Sequence, residues 1–375
     1  MELLVLGGTS FAGRHVVERA LADGHRVTTF NRGRTNADLF PTVRSLHGDR
    51  TTGHYAALQG AGPFDAVVDM CAYVPRAVRE AVAALGPSGL AGPYILISSV
   101  SAYAEPQAPA EPQGFREDAP LAPLTEGIDP AAEDVTGETY GPLKVLTERA
   151  ADALLPGGVM IIRPGLIVGP HDPTDRFTYW VRRMADGGEV LAPESPEVAH
   201  TQVIDASDLA RWIVASAAAG RTGTYNAVAP PILLADVLAA AADSGKTPCS
   251  PETAGVGGAH AKEEAGGGRP GGGDSRPETW VSWEFLEAEG VQPWTDLPAW
   301  VPAPMAALLL ADGSKAAAAG LDSRPIEAVV DGLAQWDESR PQEPLRAGMT
   351  REREAELLRK FRAATFREGA PPPGP

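Results

Sequence analysis

Short apolar runs alternate with amphipathic segments from the start of the chain to about residue 165. The runs are rich in Val, Ile and Leu, and the segments between them carry apolar residues at helical spacing. This rhythm predicts an α/β fold, a doubly wound parallel sheet with helices on both faces. The predicted strands are Leu3–Leu6, Arg26–Phe30, Ser45–His47, Ala66–Asp69, Tyr94–Ser98 and Val159–Arg163.

The first predicted strand runs straight into a glycine-rich turn, and the turn opens a helix predicted over Phe11–Asp23. Glycines at such positions allow a tight turn, a close approach of backbone N–H groups to a pyrophosphate, and close packing of the helix. One position of the strict G-x-G-x-x-G pattern holds serine instead. The turn predicts a dinucleotide site formed by Gly7, Gly8, Thr9, Ser10, Phe11 and Gly13.

The residues after the next strands bear on the choice of cofactor. An acidic residue after the second strand would bind the ribose hydroxyl of NAD and repel a 2′-phosphate, but Asn31 and Arg32 stand there. Asn31 can bond a ribose hydroxyl, and Arg32 can pair with a phosphate or stack on adenine. The sequence therefore mildly favours NADP(H) over NAD(H). Asp49 and Arg50 are predicted at the adenine end, and Cys71 as a small residue beside the cofactor.

Three further side chains predict the chemistry. Ser99 follows the fifth strand, at the sheet edge where open α/β sheets bind ligands, and can donate to an oxygen that gains charge. Tyr140 and Lys144 lie one helical turn apart, on one face of a helix that Pro142 places near its start. An ammonium beside a phenol lowers the phenol pKa, so we expect Tyr140 to exchange a proton and Lys144 to assist it.

Composition narrows the class of protein. The chain has 375 residues and a formal net charge of −17, which argues against a nucleic-acid surface and against binding to anionic membranes. Its two cysteines cannot form a disulfide framework, so we expect a cytoplasmic protein. No apolar run approaches the length of a membrane span. The expected partner is a small-molecule substrate, and a homodimer is left open.

In their order and form, these motifs resemble an extended short-chain dehydrogenase/reductase of the NAD-dependent epimerase/dehydratase family. The form Gly-Gly-Thr-x-Phe-x-Gly is most similar to an atypical branch that also holds chloroplast stem-loop RNA-binding proteins. The resemblance implies that Ser99 is the catalytic hydroxyl residue, Tyr140 the acid/base and Lys144 its partner, and that Pro164 passes the nicotinamide. Sugar-nucleotide 4,6-dehydratases carry Asp-Glu where this chain has Val100-Ser101, so their dehydration chemistry is not expected.

The resemblance and the composition together imply a division of the chain. Residues rich in Gly, Pro and Ala predict a flexible loop, and a charged amphipathic stretch near the C-terminus predicts a helix. The first predicted unit is a Rossmann-type dinucleotide-binding domain at 1–168, to which residues 200–228 return. The second is a substrate-binding lobe at 169–199 and 229–345, which includes the loop at 250–278. A C-terminal helix and tail follow at 346–375.

Candidate substrate ligands lie in and near the second lobe. Arg176 can hold a carboxylate or phosphate, and Trp180 can stack on a ring. Both can equally be structural, as can His171, and Tyr103 is the aromatic residue next after Ser99. No ligand spacing accompanies His171, so no metal is expected.

The sequence therefore predicts an NAD(P)-dependent oxidoreductase that interconverts a secondary alcohol and a ketone on a small, polar, sugar-like substrate. Two alternatives stay open. One is a redox-neutral sugar or sugar-nucleotide epimerase that retains NAD. The other is an RNA-binding member of the atypical branch without turnover, which the acidic charge opposes.

Overall fold

The parallel sheet expected from the hydrophobic pattern is present. The computed structural model describes residues 1–104, 114–123, 134–244, 278–340 and 344–368. The strands in these ranges are β1 (Glu2–Leu6), β2 (Arg26–Asn31), β3 (Arg44–His47), β4 (Ala66–Asp69), β5 (Tyr94–Ile97), β6 (Val159–Pro164), β7 (Leu166–Val168), β8 (Val190–Pro193), β9 (His200–Thr201), β10 (Val203–Asp205), β11 (Gly223–Ala227), β12 (Ile232–Leu233) and β13 (Glu278–Val281).

The helices cover both faces of the sheet and build the second lobe. In the described ranges the α-helices are α1 (Phe11–Ala22), α2 (Pro75–Leu85), α3 (Tyr140–Leu154), α4 (Arg176–Ala185), α5 (Ala206–Ala218), α6 (Leu234–Asp243), α7 (Trp283–Ala288), α8 (Ser314–Ala318), α9 (Ile326–Glu338) and α10 (Arg351–Glu368). None of the helices described has the length and apolarity needed to cross a membrane.

Seven of the described strands form one parallel sheet in the order β11-β6-β5-β4-β1-β2-β3. The doubly wound α/β architecture is confirmed. Strand order reverses beside β1, whose two neighbours are β2 and β4. At such a switch point the connections leave the carboxyl ends of the strands in opposite directions, so a crevice opens there. The topology alone thus locates the candidate site.

Successive side chains of each strand point to opposite faces of the sheet, so each face has a hydrophobic core of its own. Leu3 and Val5 of β1 face α1 and α5, whereas Leu4 and Leu6 face α2 and α3. All four are fully buried. Because helices cover both faces, the central strands are apolar throughout rather than at every second residue.

The second lobe has a core of its own, formed by α4, α6, α9, α10 and the pair β8 and β13. Trp180 and Trp300 are fully buried in it. The chain reaches this lobe after β6 and β7, and it returns through β10 and α5 to place β11 beside β6. Residues 245–277, which include nearly all of the predicted loop at 250–278, lie outside the described residues, as does the tail at 369–375. The domain boundaries remain a prediction.

Candidate active site

A cleft with a volume of about 1090 Å³ lies at the carboxyl ends of the sheet strands, between the sheet and the second lobe. Its walls bring together residues that are far apart in the sequence. Every predicted cofactor-binding and catalytic residue lines it: Gly7, Gly8, Thr9, Ser10, Phe11, Gly13, Asn31, Arg32, Asp49, Arg50, Cys71, Ser99, Tyr140, Lys144 and Pro164.

The glycine turn has the shape that a dinucleotide requires. Gly8 has a φ of +94°, and a Cβ there would lie 3.0 Å from a Val17 methyl group. A Cβ on Gly13 would lie 2.9 Å from the backbone nitrogen of Gly8, so only glycine lets α1 come this close to the turn. The first turn of α1 has no acidic residue, and the Ser10 side chain does not cap it. These helical N–H groups are thus suited to a pyrophosphate.

The turn after β2 presents positive charge at the rim of the cleft. The Asn31 carboxamide oxygen accepts from the Gly33 N–H at 2.7 Å and holds the turn, which leaves the amide less free to bind a ribose than the sequence suggests. Arg32 and Arg34 are exposed at this rim. Hydrogen bonds from Thr51 lower the pKa of Asp49, and the two arginines lower it further.

Arg50 has a structural role besides the one predicted. Its guanidinium binds both carboxylate oxygens of the fully buried Asp69, at 2.5 and 2.7 Å. Its remaining N–H groups reach the Cys71 sulfur, the Ala77 carbonyl and the Tyr55 hydroxyl. All five N–H donors of the side chain are thus engaged. Arg50 helps to build the wall of the cleft because a buried Asp69 requires a countercharge, and its contact with a cofactor stays a prediction.

The catalytic candidates meet where α3 approaches the end of β5. Ser99 caps a short 3₁₀ helix at Val100–Ala102, and its hydroxyl lies 3.1 Å from the Ser101 hydroxyl. α3 packs so closely here that a Cβ on Gly141 would lie 2.2 Å from the Ser101 carbonyl oxygen. Gly141 therefore lets α3 pack against the end of β5, and Tyr140 and Ser99 line the same part of the cleft wall. Sequence reasoning missed Gly141, although it lies inside the Tyr140–Lys144 motif.

Lys144 is buried beside Tyr140. Its Nζ donates to the Ala72 and Ile97 carbonyls, both at 2.9 Å, and lies 5.7 Å from the centroid of the Tyr140 ring. An ammonium has three N–H donors, so one remains for a ligand. Burial lowers the pKa of Lys144 to about 8, while the charge of Asp69 acts in the opposite direction.

The pKa of Tyr140 moves against the sequence-based expectation. Burial raises it, and the hydrogen bond with Ser99 and the positive charge of Arg176 oppose that rise only in part. Lys144 is not among the groups that lower the pKa of Tyr140, so the expected lowering is not found, and the Lys144 Nζ donates to two carbonyl groups. Tyr140 therefore carries its proton at neutral pH, as a donor to a substrate oxygen must, although burial makes it a weaker acid than a free phenol.

A buried ion pair fixes α3 against the sheet behind these residues. Arg163 of β6 donates to both oxygens of Glu148 of α3, at 3.0 and 2.7 Å. The Ser98 hydroxyl donates to the same carboxylate at 2.5 Å. Both charged side chains are almost fully buried. The pair sets the position of the helix that carries Tyr140 and Lys144.

The second lobe contributes the opposite wall. Arg176, the first residue of α4, lines the cleft as predicted for a substrate ligand, and its guanidinium carbon lies 5.7 Å from the centroid of the Trp294 ring. Trp294 was not among the predicted site residues. The sequence shows it only as one of several tryptophans in a short stretch, without indicating which of them faces the cleft.

Three of the predicted substrate ligands lie elsewhere. Trp180 is fully buried, and its indole donates to the Pro298 carbonyl at 2.6 Å. Tyr103 donates to the Asn226 side chain at 2.6 Å and stacks on Phe115. His171 contacts Arg14 and Trp336 outside the cleft. These assignments are corrected, because each side chain is held by the core or by the packing between elements.

In the part of the chain that the structure describes, no group of three or more His, Cys, Asp or Glu side chains is arranged to hold a metal ion.

Comparisons with known proteins extend these observations. Residues 3–82 match the model of the NAD dependent epimerase/dehydratase family. The predicted resemblance to that family is confirmed by this match to the glycine turn and the strands around it. No curated protein matches the sequence.

Solved structures share the fold over most of the chain. WbmH from Bordetella bronchiseptica, in complex with NAD⁺, superposes with a TM-score of 0.60 at 16% identity, covering 90% of this chain and 98% of its own. UDP-glucuronic acid 4-epimerase from Bacillus cereus, in complex with NAD, gives 0.59 at 14% identity, with 90% and 99% covered. dTDP-glucose 4,6-dehydratase from Bacillus anthracis, also with NAD, gives 0.59 at 13% identity, with 91% and 97% covered.

Proposed function

For a chain that resembles the NAD-dependent epimerase/dehydratase family, we propose an NAD(P)-dependent oxidoreductase that interconverts a secondary alcohol and a ketone on a small, polar, sugar-like substrate. The observation that carries this proposal is the meeting of Ser99, Tyr140 and Lys144 in one cleft with the glycine turn of β1. A nucleotide site alone would support binding only. The added phenol, hydroxyl and ammonium supply the proton transfer that oxidation or reduction of a carbinol carbon requires.

Each residue has a role that follows from its surroundings. The glycine turn and the N-terminus of α1 would hold the pyrophosphate, and Lys144 has one N–H donor left for a ribose hydroxyl. The bound nicotinamide would supply or accept the hydride. Tyr140, protonated at neutral pH, donates its proton to the substrate oxygen during reduction and accepts it back during oxidation. Ser99 donates a hydrogen bond to the same oxygen and stabilises the charge that develops there.

Cofactor choice follows from the rim of the cleft. We infer a preference for NADP(H), which is supported by the exposed Arg32 and Arg34 and by the lack of a carboxylate directly after β2. The structural neighbours named above are complexes with NAD. The neutral Asn31 is compatible with NAD(H) and with NADP(H), so the inferred preference for NADP(H) depends on Arg32 and Arg34.

Substitution of Tyr140 by phenylalanine tests the proposed chemistry. We expect Tyr140→Phe to lower turnover by about a hundredfold to ten-thousandfold while cofactor affinity stays nearly unchanged, because only the acid/base hydroxyl is lost. Substrates would be sought among keto-sugars and sugar nucleotides by nicotinamide absorbance and product analysis. Tyr225→Phe is the matched control, since Tyr225 bonds the Thr222 carbonyl outside the cleft. Full activity of Tyr140→Phe with a true substrate would refute the mechanism.

A redox-neutral epimerase is the second candidate, favoured by the likeness of the fold to UDP-glucuronic acid 4-epimerase. Such an enzyme oxidises and reduces the same carbon on one retained cofactor. It would copurify with NAD and need none added. Mass spectrometry of the purified protein, followed by product analysis without added cofactor, separates the two candidates.

A further inference from the structure

We propose that Arg176 and Trp294 form a subsite for an oxyanion group of the substrate, a carboxylate or a phosphate, close to the carbon that reacts. The inference rests on the proposed function, because it assumes that Tyr140 marks the reacting carbon. Both residues line the same cleft as Tyr140 and Lys144, on the wall that the second lobe contributes. The neutral, sugar-like part of the substrate would then lie between the two walls.

Within the described part of the chain, the Arg176 guanidinium forms no ion pair with a carboxylate, so it can bind an anionic ligand. Among the described residues, no carboxylate lies within 4.0 Å of its guanidinium, although Arg50, Arg163 and Arg183 are each paired with a buried acid. The carboxylate of Asp172 on the same wall accepts hydrogen bonds from the Thr174 N–H and hydroxyl instead. A half-buried guanidinium facing a cleft binds an oxyanion strongly, because planar N–H donors match its oxygens.

The backbone on both sides is held in an unusual conformation. Asp175, just before Arg176, has a φ of +56°, and Trp294 has a φ of +65°. Neither is glycine, and residues held in this region mark sites where the surrounding structure imposes the geometry. Asp175 is held by Arg340 at 2.8 Å and by the Arg346 N–H at 3.2 Å. The loop of Trp294 is braced by the hydrogen bond from the Met349 N–H to the Asp296 carbonyl.

The subsite is also close to the reaction centre. Arg176 and Tyr140 line the same cleft, and the positive charge of Arg176 opposes in part the rise that burial causes in the Tyr140 pKa. An anion bound at Arg176 would therefore share the cleft with the substrate oxygen that Tyr140 serves. Trp294 offers a ring face on which the guanidinium, or an apolar face of the substrate, can rest.

The test compares matched probes on the protein saturated with its nicotinamide cofactor. D-glucose, D-glucuronate and D-glucose 1-phosphate would be titrated by calorimetry, since they share the gluco configuration of the ring and differ in the anionic group that they carry. We expect at least one acid to bind about tenfold to a hundredfold more tightly than glucose. The acid that binds more tightly shows whether the oxyanion group of the substrate is a carboxylate or a phosphate. Arg176→Met should remove the preference and leave glucose binding unchanged, whereas Arg176→Lys should restore part of it.

Arg149→Met is the control, because Arg149 is an exposed residue of α3 and its loss changes the net charge by the same amount. Equal binding of the three probes, failure of both acids to bind, or an anion preference that survives in Arg176→Met would overturn the inference. Cofactor affinity, followed by NAD(P)H fluorescence, is measured first on each variant. Failure of cofactor binding counts against the proposed function, whereas normal cofactor binding without an anion preference counts against this subsite alone.

Discussion

Lys144 combines two properties that determine how it can work. It is almost fully buried, and its Nζ already donates to two carbonyl groups. Burial disfavours the charged form, which is why its pKa is lowered to about 8 rather than left near that of a free lysine. A cofactor hydroxyl would then be bound by an ammonium below that pH and by a neutral amine above it.

This pKa predicts a pH dependence. Below about pH 8 the Lys144 ammonium is present, and above it the proton is lost. We therefore expect kcat/KM for the reduction of a ketone to fall as pH rises through about 8, because this parameter reports the pKa values of the free enzyme. The fall should be tenfold per pH unit once the neutral form dominates. A profile that stays flat to pH 10, with the protein shown to be folded there, would separate Lys144 from the chemistry.

Arg32 gives a prediction for the cofactor. Arg32→Ala should weaken NADPH binding by about tenfold to a hundredfold and NADH binding much less, since only NADPH carries a 2′-phosphate to pair with the guanidinium. Fluorescence titration of both cofactors measures the difference. Arg79→Ala, an exposed arginine of α2, controls for net charge. Equal weakening of both cofactors would show that Arg32 stacks on adenine or supports the turn.

The residues that line the cleft at the strand ends could be predicted, whereas most of the residues on the wall of the second lobe could not. Gly8, Ser99 and Tyr140 follow strands or start helices, so the topology of an α/β sheet brings them to one edge. Trp180 and Arg176 lie on the same helix, and the sequence alone does not show which of the two faces the cleft. That distinction depends on the packing of α4 against residues more than a hundred positions away.

At the scale of elements, α10 is attached to the second lobe by a buried charge. Arg183 of α4 donates to Glu354 of α10 at 2.8 Å, and the Leu191 N–H of β8 donates to the same carboxylate. Both charged side chains are nearly inaccessible. A buried ion pair adds little to the free energy of unfolding when it is compared with a well-packed apolar pair. Removal of one partner is nevertheless strongly destabilising, because it leaves the other charge buried without a countercharge.

We therefore expect Glu354→Gln to lower the free energy of unfolding by about 3 kcal/mol or more, because it leaves the Arg183 guanidinium buried and unpaired. Urea unfolding followed by circular dichroism measures the change. Glu352→Gln removes the same charge from the exposed face of the same helix and should change stability by no more than about 0.5 kcal/mol. Similar values for the two variants would contradict the structural role assigned to the pair.

Among the helices and strands, those with strong hydrophobic periodicity could be predicted, whereas the short strands of the second lobe could not. Six of the seven strands of the parallel sheet were predicted to within one residue, whereas β11 was not predicted as a strand. The helix predicted within 346–375 is found as α10 at Arg351–Glu368. Strong hydrophobic periodicity explains both results. The strands of the second lobe, such as β9 and β12, have two residues each and pair with partners distant in sequence. Such strands have no periodic signal, so they could not be predicted.

At the scale of the whole molecule, the net charge and the binding of a cofactor to the folded state together predict which ligands raise the thermal stability. A ligand that binds only the folded state stabilises it by about 2.7 kcal/mol at a hundred times its Kd. NADPH should therefore raise the midpoint of thermal unfolding by a few degrees. A single-stranded RNA oligonucleotide should not, because a protein of charge −17 repels phosphates. Stabilisation by RNA that disappears at high salt, with none by either nicotinamide cofactor, would favour the RNA-binding alternative.

The arrangement of the second lobe also has a consequence during synthesis on the ribosome. The Trp180 indole of α4 finds its hydrogen-bond acceptor only when the Pro298 carbonyl, 118 residues further along the chain, is in place. Translation adds about 5–20 residues per second, so this indole waits roughly 6–24 seconds for its hydrogen-bond acceptor. The sheet can complete β11 and α4 can contact α6 within that interval, whereas α9, which also packs on α4, is not yet made. The nascent chain is therefore most exposed to aggregation, and most in need of a chaperone, while the substrate lobe is half made.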